Sequence, residues 1–160
     1  MKILAVDPGY ERLGIAVLEK GQNGKEIYVY SDCFQTSAKI PFYERLLLLG
    51  NEIERVIQTY HPEEFSAETL FFHSNQKTAM KVSESRGAVL FQAKKLGLEI
   101  FEYTPLQIKT AITGDGRADK KQIVALIPKL ISVPKPIKYD DEYDAIAVGL
   151  THFAYRKNQF

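Results

Sequence analysis

One cysteine, Cys33, leaves no possibility of an internal disulfide. The chain must therefore hold its fold by packing and hydrogen bonding, as proteins of reducing compartments do. No apolar run approaches the ~20 residues needed to cross a bilayer, and the N-terminus lacks the basic, apolar and small-residue sequence of a signal peptide. These absences predict a cytoplasmic protein with no membrane contact. There is also no internal repeat, no low-complexity tract and no compositional break. Residues 1–160 accordingly read as a single domain, long enough to bury a real core.

The net charge is only +1, but that figure conceals a strong asymmetry. Residues 1–69 carry 7 basic and 11 acidic side chains, residues 70–138 carry 12 and 5, and the last 22 residues carry 2 and 4. A basic middle between acidic ends suits a nucleic-acid backbone lying beside a cluster of carboxylates. Charge runs more often mark wet surface, so composition alone does not decide.

Residues 2–6 read as a buried strand. Residues 13–19 and 26–34, rich in β-branched residues and tyrosine, read as two more, turning around Asn23-Gly24. Phe42, Leu46, Leu49, Ile53, Val56 and Tyr60 recur at helical spacing, and His61-Pro62 stops that helix. A short strand leads to Glu68, a helix runs from about 75 to 96, and 98–103 is a fifth strand. Thr104-Pro105 looks like a cap and first helical residue, and Asp119 with Gln122 like a capping box. Pro128 should kink or shorten the helix that follows. A last helix spans roughly 140–155. An antiparallel meander followed by strand–helix alternation predicts an α/β fold, a mixed five-stranded sheet with helices on both faces.

Four acids stand out against this framework. Asp7 ends the first strand before Pro8-Gly9, Glu68 ends the fourth, and Asp141 and Asp144 share one face of the first turn of the last helix. Each has a plain explanation alone, as a turn former, a strand-end residue or a helix N-terminal acid. Together they are harder to dismiss. Carboxylates gathered from separate elements repel one another unless a cation lies between them, and a hard divalent ion such as Mg²⁺ needs such oxygen ligands. The pattern points to two-metal phosphodiester chemistry.

Five blocks in order, Asp7-Pro8-Gly9, Glu68-Thr69-Leu70-Phe71, Glu84-Ser85-Arg86-Gly87, Phe101-Glu102-Tyr103 and Asp141-Glu142-Tyr143-Asp144-Ala145-Ile146-Ala147, resemble the RuvC family of Holliday-junction resolvases over nearly the whole chain. The resemblance implies a ribonuclease-H-like fold with Asp7, Glu68, Asp141 and Asp144 as ligands of two Mg²⁺ ions, with Mn²⁺ able to substitute. It implies paired symmetric nicking of four-way DNA junctions, leaving 5′-phosphate and 3′-hydroxyl ends, in recombination and repair. Lys109 and Lys120 would assist at the phosphate, although Lys121 competes with Lys120 for that place. Phe71 would stack on a base, unless Phe72 does. Lys77, Lys81, Arg117 and Lys121 would contact DNA. A homodimer is implied, with Ala79, Val82, Ser83 and Leu90 able to form its seam or to face the core, as is association with the RuvA and RuvB branch-migration proteins. Outside that resemblance, another ribonuclease-H-like nuclease acting on branched DNA or structured RNA, an ATP-binding sugar-kinase-like domain and a non-catalytic junction-binding module remain as alternatives.

Overall fold

The computed structural model describes residues 1–70 and 76–156. Strands β1 (Lys2–Asp7), β2 (Arg12–Lys20) and β3 (Glu26–Gln35) form an antiparallel meander. Strands β4 (Glu64–Glu68) and β5 (Glu99–Tyr103) add in parallel on the other side of β1, so the sheet order is β3-β2-β1-β4-β5. Among the described residues five helices accompany it: α1 (Phe42–Tyr60), α2 (Gln76–Lys95), α3 (Pro105–Thr113), α4 (Lys120–Leu130) and α5 (Asp140–Arg156). The mixed sheet expected from the sequence is present.

Strand β1 shows why both faces need cover. Leu4 and Val6 point to one side and Ile3 and Ala5 to the other, and none is exposed. On the first side they pack with Leu49, Ile53 and Val56 of α1 and Val89 and Ala93 of α2. On the second, α5 lies directly on the sheet through Ala145, Ile146 and Val148, backed by Ile108 and Ile112 of α3 and Ile123 and Ile127 of α4. A strand buried on both faces reads as an unbroken apolar run, as residues 3–6 do.

Two helix ends have specific local geometry. His61 closes α1 in the left-handed region, at φ 51°, with its N–H bonded to the Ile57 carbonyl at 2.9 Å. Pro128 lies inside α4, which continues to Leu130. It lies in the last turn, where one missing N–H costs a single ladder bond, and Ile131 N–H still reaches the Ile127 carbonyl at 3.0 Å.

The four α2 residues weighed between seam and core differ in burial. Leu90 packs against the α1–sheet core, Ala79 and Val82 are half-buried, and only Ser83 of the four is exposed. The apolar side chains that α2 presents outward are Met80, 70% exposed, and Phe91, 68% exposed.

A buried polar chain ties the far end of α5 to the sheet. His152, fully buried, has Nε2 2.6 Å from a Glu64 carboxylate oxygen, and Nδ1 3.0 Å from the Tyr103 hydroxyl. Arg156 meets the other Glu64 oxygen at 2.5 Å. A neutral imidazole satisfies both sides by donating to Glu64 and accepting from Tyr103. Burial holds the His152 pKa below its ordinary value, against the pull of Glu64. Because the unfolded chain takes up this proton first as pH falls below about 6.5, the His152 contribution to stability is lost on acidification, by at most about 1.4 kcal/mol per pH unit. Asp7, whose folded pKa is raised, works in the opposite direction. The His152 contribution is therefore read as a difference: the stability gap between wild type and His152→Gln in urea melts should narrow from pH 7 to pH 5. A constant gap would contradict it.

Candidate active site

Register alone brings Asp7 and Glu68 side by side. Val6 pairs with Ala67 across the parallel β1–β4 ladder, and the two acids are the next residues on each strand. Neighbouring strands lie about 4.8 Å apart, so two carboxylates at the same strand ends are forced into each other's field. The exit from Glu68 is seated on β5, where Thr69 N–H donates to the Tyr103 carbonyl at 2.9 Å. Arg86 of α2 is ion-paired with Glu102 and approaches the Glu68 carbonyl at 3.4 Å, a packing role rather than a chemical one.

Helix α5 supplies the other two acids, and a glycine lets it do so. Gly14 is the β2 partner of Asp7. A Cβ at Gly14 would stand 1.9 Å from the Asp141 carbonyl oxygen and 3.3 Å from the Asp7 Cβ. The backbone of Asp141 therefore rests on β2 at the one position without a side chain. A glycine inside a strand pattern is the usual sign of such close approach. Neither the role of Gly14 nor that of Arg12, described below, was read from the sequence.

The electrostatics show how tightly the acids are gathered. Asp7 is pushed up to about 8, first by burial and then by the charges of Asp144, Glu68 and Asp141. Burial and Asp144 raise Glu68, against Lys120 and Lys109. Asp144 is likewise raised by burial, against its hydrogen bond from Lys120. Burial first, and the neighbouring carboxylates second, therefore oppose ionisation of Asp7.

Cations engage two of the acids. Lys120 Nζ lies 2.7 Å from Asp144 and 2.6 Å from Asp140. Burial lowers the Lys120 pKa, but these bonds outweigh it and the net shift is upward. Arg12 Nε is 3.3 Å from Asp141 Oδ2, and that oxygen is shielded from solvent without a hydrogen bond. Among the described residues, no three acidic, cysteine or histidine groups converge closely enough to enclose an ion as they stand. The donor set nonetheless fits a hard divalent cation: carboxylate oxygens, one left without a hydrogen bond, and an acid whose proton an ion would displace.

The remaining sequence-derived candidates divide. Glu68, Asp144, Lys109 and Lys120 share a cleft of about 250 Å³. The Thr104–Gln107 capping box starts the helix that carries Lys109, and the Asp119–Gln122 box starts the one that carries Lys120. Lys121 and Arg117 are exposed nearby, Lys121 in a separate shallow groove beside Asp140. Lys81 lies on the opposite helical layer, with Nζ 5.7 Å from the Tyr10 ring and 5.6 Å from the Phe42 ring. Phe71, Phe72 and the side chain of Lys77 lie outside the described residues.

An α/β sheet of this order with acids at the ends of β1 and β4 and at the start of α5 defines a ribonuclease-H-like nuclease. The family model for crossover junction endodeoxyribonuclease RuvC matches residues 3–152. A RuvC from Desulfitobacterium hafniense is 42% identical over 152 residues, covering 95% of this chain and 92% of that protein. One from Petrotoga mobilis is 40% identical over 158 residues, covering 99% and 96%. The Thermus thermophilus RuvC structure superposes with a TM-score of 0.88 at 28% identity, covering 99% of this chain and 97% of that one. The same Thermus protein, in complex with a Holliday junction substrate, gives 0.89 at 29% identity, covering 99% and 96%. The chain belongs to the RuvC family of crossover junction endodeoxyribonucleases.

Proposed function

We propose that this chain, acting as a single nuclease domain in the cytoplasm, cleaves four-way DNA junctions by phosphodiester hydrolysis, leaving 5′-phosphate and 3′-hydroxyl ends. The placement of Asp7 and Glu68 at adjacent strand ends beside Asp141 and Asp144 in the first turns of α5, close enough that the other three charges all raise the Asp7 pKa, carries the reading. Asp7, Glu68, Asp141 and Asp144 would hold two Mg²⁺ ions, or Mn²⁺ in their place. When bound, these supply Lewis-acid stabilisation of a phosphorane-like transition state and lower the pKa of an attacking water.

The chain's own residues do the rest. The carboxylates would hold the cations, and the burial and repulsion that raise Asp7, Glu68 and Asp144 would be relieved by a bound cation. Lys120 and Lys109 face the same cleft, where an ammonium neutralises charge that grows on the phosphate oxygens. Phe71 stacks on a base near the branch point, and Lys77, Lys81, Arg117 and Lys121 bind the DNA backbone, supplying affinity without sequence information. Two copies act together, since one site cannot nick two opposed strands in a coordinated event. The outward apolar side chains of α2, Met80 and Phe91, support a pairing surface there. RuvA and RuvB are the branch-migration partners of this reading.

The test is a synthetic four-way junction beside a linear duplex of the same sequence, each with Mg²⁺ and with EDTA. Cleavage of the junction in Mg²⁺ alone is expected. Equal cleavage of the duplex would favour a less selective ribonuclease-H-like nuclease, and binding without cleavage a non-catalytic junction-binding module.

A further inference from the structure

The cations that face the cleft, Lys109 and Lys120, stand on the β4–β5 side of Asp7 or against Asp144. The other side of the carboxylates has its own basic edge. Arg12 opens β2, on the far side of β1 from β4, and its side chain is 46% exposed while Nε lies 3.3 Å from Asp141. Its guanidinium carbon is 5.6 Å from the ring centroid of Tyr139, the residue just before Asp140. Lys138 Nζ approaches the same ring at 5.0 Å. One aromatic ring therefore has two cations against it, immediately beside the start of α5.

Neither cation is used up by the fold. Lys138 is exposed, hydrogen-bonds only the Tyr139 side chain and has no carboxylate within ion-pair distance among the described residues. Arg12 meets Asp141 through Nε without a hydrogen bond, which leaves the forked end of the guanidinium, the part suited to phosphate, available. Lys135, by contrast, is engaged by the buried Glu142 at 2.7 Å and belongs to the scaffold. Asp140, an exposed acid beside Tyr139, is ion-paired with Lys120.

Resting on the junction-nuclease reading, we infer that Arg12 and Lys138, held in place by the Tyr139 ring, form a second phosphate-binding edge. The cleaved strand then crosses the carboxylates between two basic borders, Lys109 and Lys120 on one side and Arg12 and Lys138 on the other. A polyanion so flanked is fixed in position along its own length, which is what in-line attack on one phosphate requires. On DNA binding, the free fork of Arg12 takes a backbone phosphate adjacent to the scissile one, while Nε stays beside Asp141 and the Tyr139 ring backs the guanidinium.

Junction binding by the full chain, followed by fluorescence anisotropy in Ca²⁺ across a salt series, tests this. Removing one cation that neutralises a DNA phosphate lowers the slope of log affinity against log salt by about 0.9. Arg12→Ala and Lys138→Ala should each lower it by about that amount, and the double variant by about twice it. The affinity lost between 50 and 200 mM salt would then shrink by about 3.5-fold per cation removed. Tyr139→Ala should lower the slope, and Tyr139→Phe, which keeps the ring but loses the hydroxyl bonded to Lys138, should lower it less. Lys25→Ala, in the β2–β3 turn, should leave it unchanged. Wild-type slopes in Arg12→Ala and Lys138→Ala, with wild-type junction binding intact, would overturn the second edge and leave Arg12 as a partner of Asp141 alone. A wild-type protein that does not bind the junction would instead overturn the junction-nuclease reading, and this inference with it.

Discussion

Asp141→Asn should abolish strand cleavage while leaving junction binding at or above the wild-type level. The amide keeps the side chain's shape but removes the anionic oxygen that a hard cation needs, and Oδ2 is the atom without a hydrogen bond in this site. Losing several kcal/mol of transition-state stabilisation corresponds to roughly a thousandfold in single-turnover rate. Binding does not fall with it, because a negative charge near the phosphate has gone. Lys120→Ala gives a useful contrast. It should slow cleavage of pre-bound junction by a smaller factor, since it removes a cation that acts on the bound complex. Wild-type single-turnover rates for Asp141→Asn in Mg²⁺ would exclude Asp141 as an essential ligand.

Gly14→Ala should be nearly as damaging, without touching any charged group. An added methyl would sit 1.9 Å from the Asp141 carbonyl oxygen, a distance that neither backbone can tolerate. Helix α5 must lift from β2, carrying Asp141 away from Asp7. Overpacking of this kind typically costs about 1–3 kcal/mol of stability, and here it also separates two members of the site. Cleavage should therefore fall much further than the urea midpoint does. Gly50→Ala is the control: a Cβ at that position in α1 meets nothing within 4 Å, so it should be neutral or stabilise by about 0.5–1 kcal/mol. If Gly14→Ala cleaves at the wild-type rate, the close approach of α5 to β2 is not what assembles the site.

The contrast between these two residues explains what a sequence can and cannot carry. Asp7 and Glu68 were legible because each closes an apolar run, and a strand's end is a local property. The same holds for the Thr104 and Asp119 capping boxes, whose bonds span three residues. Gly14 is also inside a strand pattern, but the backbone that rests on it comes from residue 141, and nothing near Gly14 in the chain announces that neighbour. Arg12 was missed for the same reason. The place of Lys120 rather than Lys121 against Asp144 depends on how α4 is turned relative to α5, a tertiary matter on which adjacent lysines carry no information. The α2 stripe was ambiguous because a helix covering one sheet face has apolar side chains both inward, such as Leu90, and outward, such as Phe91. Pro128 falls in the last turn of α4, where a proline removes a single ladder bond.

The central claim is that two copies of this site cut a four-way junction in a paired and symmetric way. Mapping the products of a single-turnover reaction on a junction with a mobile homologous core, each strand labelled in turn, tests it most directly. The expected result is two nicks at equivalent positions on opposing strands, made within the lifetime of one complex, with 5′-phosphate ends that ligase can reseal. Unpaired nicks at unrelated positions, or cuts that persist when the junction is replaced by linear duplex, would contradict it.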